Sequence, residues 1–128
     1  MTQRTTPPFR ADHVGSFLRP KELLDARAQQ QTGAITKAQL REVEDRAIRD
    51  IVKFQEDLGL QGITDGEFRR TYFHVDFLEQ LEGVKVEGGI AVHFHTATGK
   101  DVDFAPPVLK VSGKLRHVRP IQLADFNF

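Results

Sequence analysis

Two short polar clusters carry residue types suited to holding a small charged ligand. The first is Gly15-Ser16, preceded by His13 and Val14. A glycine lets backbone approach a ligand with no Cβ in the way. The serine hydroxyl and adjacent N–H groups can then donate to a carboxylate. The second is Asp65-Gly66-Glu67, followed by Arg69 and Arg70. Glu67 can accept hydrogen bonds from an ammonium group, while Asp65 can orient a neighbour or cap the next turn. Each cluster has a plainer reading as well. Gly15-Ser16 suits an ordinary turn with a capping serine, and Asp65-Gly66-Glu67 suits a surface turn with weak local ion pairs.

The histidines offer less. His93 and His95 are two apart, so on a strand both point to one face and can offer two imidazoles to a metal. No third ligand is evident beside them, and exposed hairpin histidines are the competing reading. His74 lies in the aromatic stretch Tyr72-Phe73-His74-Val75-Asp76-Phe77 and reads as a packed or supporting residue. His117 is flanked by Arg116 and Arg119 and carries no specific signal. GxSxG, P-loop, CxxC and HExxH patterns are all absent. The residues alone therefore give two ligand-holding clusters, with no catalytic set and no metal set.

The elements that must position the clusters follow from periodicity and punctuation. Phe9 to Val14 reads as a short strand ended by Gly15-Ser16. Pro20 sits where a first helical turn tolerates proline, and Lys21 to about Gln31 reads as a helix with Leu23, Leu24 and Ala28 on one side. Gly33 suits its stop. Thr36-Lys37-Ala38-Gln39 matches a capping box. Leu40, Val43, Ala47, Ile51, Phe54 and Leu58 then recur at helical steps as far as Gly59. Arg41, Glu42, Asp45, Arg49, Lys53 and Glu56 form the opposite, solvated face. Leu60 to Thr64 reads as a brief strand, Thr71 to Leu81 as a helix, and Val84 to His95 with Val102 to Phe104 as hairpin strands. Val108 to Leu115 is a further strand, and a short segment follows Pro120. The opening is βα-like, and both clusters fall at expected strand ends, where α/β folds gather function.

Composition limits the classes. The 128 residues suit one domain, with 39% hydrophobic and 28% charged residues. Eighteen basic and eighteen acidic residues give zero net charge, which argues against a nucleic-acid binder. No apolar run is long enough for a transmembrane helix, and the start lacks the apolar core of a secretory signal, so the expected location is cytoplasmic. The chain has no cysteine, which rules out disulfides and thiolate metal ligands.

Taken together, His13-Val14-Gly15-Ser16-Phe17-Leu18-Arg19-Pro20 and Ile63-Thr64-Asp65-Gly66-Glu67-Phe68-Arg69-Arg70 resemble the cobalamin-independent methionine synthase family. The likeness is closer to short single-barrel relatives of its C-terminal catalytic domain. Pro106-Pro107-Val108-Leu109-Lys110-Val111-Ser112-Gly113-Lys114 looks like a further segment of those relatives. There are departures. The methionine synthase loop continues differently where this chain has Leu18-Arg19-Pro20, and Asp65 stands where a histidine is expected.

The resemblance implies an α/β fold: a partial TIM (β/α)8 barrel of N-terminal βα units with a β-hairpin excursion. Residues 1–128 would be the N-terminal portion, since such a barrel takes roughly 250 residues. It implies homocysteine S-methylation in methionine biosynthesis, with methyltetrahydrofolate as donor. Zinc activates the thiol in the complete family protein, on His, Cys, Glu and Cys ligands that this chain does not supply. Val14, Gly15, Ser16 and Glu67 then map onto the homocysteine pocket, with His13, Asp65 and Arg69 in supporting positions. No catalytic residue and no metal ligand carries over, so the chain alone is not expected to be a complete enzyme. The expected partner is a small amino thiol, with no nucleic acid and no membrane. Self-association or a partner chain would complete the barrel. The alternative is a non-catalytic truncated paralogue acting as a small-ligand or partner module, or a remnant with no function of its own.

Overall fold

The helical part of the chain forms where the capping and periodicity expect it. A computed structural model describes residues 5–6, 14–72, 74–89, 91–95, 99 and 101–128, in two units spanning 1–69 and 70–128. In the first, helix α1 (Lys21–Gln31) follows Pro20, whose φ of −60° suits the residue leading into a helix. Helix α2 (Lys37–Asp57) begins at a complete capping box. Thr36 Oγ1 accepts from the Gln39 N–H at 3.2 Å, and Gln39 Oε1 accepts from the Thr36 N–H at 2.9 Å. Gly33 and Gly59 follow the two helices as expected.

The core of this unit is Leu23, Ala47, Ile48 and Phe68, with Phe17, Leu40, Val43, Ile51 and Val52 packed on it. The inward side of α1 differs from the expected one. Leu23 and Ala26 are buried, while Leu24 is 51% exposed and Ala28 is also exposed. Positions 23, 26, 27 and 30 make the inner stripe, at steps of three and four. On α2, Phe54 and Leu58 were expected inside but are 52% and 62% exposed. Arg46 pairs with Glu22 and Arg27 with Glu44, which sets α1 against the first half of α2. α2 has 21 residues against 11 in α1, so it runs about 15 Å further and its last turns extend past α1.

Two more expectations need correction in this unit. The segment Leu60 to Thr64 is not a strand. A strand needs backbone from a neighbour, and here the Thr64 N–H and C=O are both taken by the side chain of Gln55. Asp45, expected on a solvated face, instead pairs with Arg69 and Arg41. The expected strand from Phe9 falls, up to His13, outside the described residues.

The second unit is built of short elements. Helix α3 spans only Val75–Leu78, shorter than the expected Thr71 to Leu81. The Asp76 carboxylate accepts from the Thr71 N–H at 2.6 Å and the Tyr72 N–H at 3.3 Å, holding those residues in a bend. Strand β1 (Glu82–Glu87) pairs with β4 (Val108–Arg116), and β2 (Val92–His95) pairs with β3 (Asp101–Phe104). Both pairings are antiparallel. The hairpin β2–β3 was expected; β1 skips past it to join β4, with Val84 opposite Val111 and Val86 opposite Leu109. A four-residue helix, α4 (Leu123–Phe126), closes the chain. The mixed helix and strand content is as expected, but no parallel strand pair occurs among the described residues. Among them, too, no helix is long and apolar enough to cross a membrane.

Candidate ligand-binding site

Although neither polar cluster follows a described strand, the first unit interlocks them. Thr64 Oγ1 donates to the Gly15 carbonyl at 2.8 Å and accepts from the Gly66 N–H at 3.3 Å. The Phe17 N–H donates to the Gly66 carbonyl at 3.1 Å. Arg19 donates to the Glu67 carbonyl at 3.1 Å. Both central glycines are buried and have positive φ, +93° at Gly15 and +68° at Gly66. A Cβ on Gly66 would meet the Phe68 ring at 2.9 Å, and one on Gly15 would meet Thr64 Cγ2 at 3.3 Å. Each position therefore needs glycine both for its backbone angle and for the space its neighbour fills.

The expected site residues sit at the surface of this junction. Val14 is 93% exposed and Ser16 is exposed, while Glu67 is half-buried. Asp65 performs the orienting role open to it: its Oδ1 accepts from the Glu67 N–H at 3.0 Å. Glu67 has a φ of +58°, a left-handed backbone that costs a side-chain-bearing residue roughly 1–2 kcal/mol. Asp65 on its N–H and Arg19 on its carbonyl hold it there. Such conformations persist where surroundings over-determine them, often at functional sites. His13 lies outside the described residues.

Arg69 reaches beyond its own turn. Its side chain is 5% exposed and bonds Asp45 of α2 at 2.5 Å. Arg27 of α1 donates to the Phe68 carbonyl at 2.5 Å and lies 3.7 Å from Glu44. Bonds from charged donors are the strong ones. The turn 66–69 is thus fastened to α1 by Arg27, to α2 by Arg69 and to the loop before α1 by Arg19. The sequence reading had Thr64 and Arg19 within the two motifs without a role for either, and it missed Gln55 and Arg27 as contributors. Gln55 carried a legible signal, a polar residue on the inward stripe of an amphipathic helix.

The histidines lie elsewhere. His93 and Asp103 face each other across β2 and β3, with Nδ1 and Oδ1 2.5 Å apart and both side chains exposed. His95 and His117 are exposed, and so is His74, against the packed position expected for it. Among the described residues no three His, Asp or Glu side chains gather as a metal site would require. With no cysteine in the chain either, its donors do not fit a thiolate-rich zinc centre.

Comparison with known proteins agrees with the motifs. Residues 9–105 match the family described as the catalytic domain of cobalamin-independent synthase. The chain is 42% identical over 125 residues to the protein YxjH of Bacillus subtilis, covering 94% of this chain and 31% of that one. It is 30% identical over 115 residues to the methionine synthase of Sulfolobus acidocaldarius, covering 90% of this chain and 32% of that one. A crystal structure of a Listeria monocytogenes protein, provisionally assigned as a vitamin-B12-independent methionine synthase, is similar at a TM-score of 0.59. It shares 52% identity over 64% of this chain and 25% of that one. The chain spans about a third of the length of the curated relatives it matches. Matched by the family model over most of its residues, the chain belongs to the cobalamin-independent synthase catalytic-domain family.

Proposed function

We propose that the chain forms the amino-acid-holding part of a cobalamin-independent methionine synthase-type methyltransferase, built as the first βα units of a (β/α)8 barrel. The observation that carries this reading is the junction itself. Loops 14–17 and 64–67, separated by two helices in sequence, are bonded to each other through Thr64, Phe17 and Gly66. An amino-acid ligand carries a carboxylate and an ammonium on one carbon. Ser16 and the N–H groups near it suit the carboxylate, and the Glu67 carboxylate suits the ammonium. A ligand held by both ends would leave its sulfur free to point away from the junction. Thiol activation by zinc and a methyltetrahydrofolate donor belong, in this reading, to the complete protein. The name of a Synechococcus relative, 32% identical over 77 residues, is 5-methyltetrahydropteroyltriglutamate--homocysteine methyltransferase, which supports homocysteine as the amino thiol.

The test is a titration of L-homocysteine into the isotopically labelled 128-residue chain and into Glu67→Gln, which keeps shape and removes charge. A charge-assisted hydrogen bond contributes roughly 1.5–3 kcal/mol, so Glu67→Gln should bind about ten- to a hundredfold more weakly. Asp65→Asn should lose less, because an amide oxygen can still accept from the Glu67 N–H. If Glu67→Gln binds like the parent while Asp65→Asn loses affinity, the two acids exchange roles.

A further inference from the structure

The bonds that Thr64 makes to the two loops lead back to one buried side chain. Gln55 lies on the inward stripe of α2 and is 0% exposed. Its Nε2 donates to the Ile51 carbonyl at 2.9 Å and the Thr64 carbonyl at 2.8 Å, and its Oε1 accepts from the Thr64 N–H at 3.0 Å. Both backbone groups of Thr64 are thereby fixed to the helix, as an adjacent strand would fix them. That leaves the Thr64 hydroxyl in one place, where it donates to Gly15 O and accepts from Gly66 N–H. A threonine hydroxyl has one donor and two acceptor sites, and here it spends the donor on one loop and an acceptor on the other.

We infer that Thr64, held by Gln55, is the positioning residue that sets the spacing between the carboxylate-binding loop at Gly15-Ser16 and the ammonium-binding carboxylate at Glu67. This rests on the amino-acid reading of the site given above. The carboxylate and ammonium of an α-amino acid have a fixed separation, so two loops that grip both ends must hold their distance closely. Neither Gln55 nor Thr64 needs to touch the ligand to do this. The relay also accounts for a fully buried glutamine on a helix face that carries Ala47, Ile48 and Ile51 beside one buried acid, Glu44. An apolar residue there would leave the Thr64 N–H and C=O without the partners they now have.

Two variants separate positioning from mere stability. Thr64→Val keeps one methyl group against Gly15 and exchanges the hydroxyl for a second methyl, which can neither donate nor accept; Thr64→Ser keeps the hydroxyl. In the 128-residue chain, held well below its melting temperature, L-homocysteine affinity should fall about tenfold in Thr64→Val and stay within about twofold of the parent in Thr64→Ser. A loss of fold stability alone does not move the affinity of a chain that remains folded. The amide exchange of Phe17 and Gly66 is read on the same samples. It should quicken at least tenfold in Thr64→Val and not in Thr64→Ser. Gln55→Met, if it folds, should reproduce Thr64→Val in both readouts. Parent-like affinity in Thr64→Val overturns the inference, as does equal loss in Thr64→Val and Thr64→Ser. If the parent does not bind homocysteine while the exchange pattern appears as stated, the amino-acid reading has failed and the clamp between the loops stands. If exchange at Phe17 and Gly66 is unchanged in Thr64→Val, the clamp itself is wrong.

Discussion

The two units of the chain are held together by different means. Residues 1–69 have a packed cluster of Leu23, Ala47, Ile48 and Phe68, crossed by buried polar links from Gln55, Glu44, Arg27 and Arg69. Residues 70–128 hold two two-stranded ribbons, and among the side chains whose burial is described their one buried hydrophobic is Val75. Along β4, eight of nine residues are exposed. Two-stranded ribbons are marginally stable by themselves. Both candidate clusters lie in the first unit, where a side chain's position is fixed by packing as well as by hydrogen bonds. Precision at a binding site comes from that combination.

The largest effect that would test this contrast is in the core. Leu23 is 0% exposed, and Leu23→Ala should cost about 2–5 kcal/mol through lost contacts and the cavity left behind. Urea unfolding followed by helical circular dichroism reads it. A smaller effect of opposite sign is expected at the site. Glu67→Gly relieves the φ of +58° and should leave stability unchanged or raise it by up to about 1 kcal/mol, after the entropy of the new glycine is set against the relief. The same variant should lose homocysteine binding. A clear destabilisation would mean that the Glu67 side chain is structural. The smallest effect belongs to the ribbon. Val111 is 63% exposed, so Val111→Ala should stay within about 0.5 kcal/mol of the parent. A cost comparable to that of Leu23→Ala would erase the contrast between the units.

The sequence was most legible where short-range chemistry decides structure. The Thr36–Gln39 box, the bounds of α1 and the hairpin β2–β3 all follow from local patterns. It was least legible where a distant side chain stands in for local structure. Leu60 to Thr64 has a strand's composition, yet its hydrogen bonds go to Gln55. The helix expected from Thr71 starts only at Val75, because the Asp76 carboxylate holds Thr71 and Tyr72 in a bend. The pairing of β1 with β4 across an intervening hairpin joins residues about 25 apart, and alternation alone cannot choose between neighbours. At the site, the residue types at 15–16 and 65–67 pointed to ligand binding, and the motif resemblance to a family. What tied them together, the Thr64 hydroxyl and three arginines, leaves no periodic trace. Arg69 read as a residue of a local turn, and its side chain reaches Asp45 on α2, a link between segments 24 residues apart that no local pattern marks.

The central claim is that the two clusters act as one site. Mapping amide shifts while L-homocysteine is added to the 128-residue chain tests it most directly. The account predicts that amides of Gly15, Ser16 and Phe17 move together with those of Gly66, Glu67 and Phe68, along one saturation curve. Shifts in only one cluster, or shifts confined to the ribbon of residues 82–116, would contradict it.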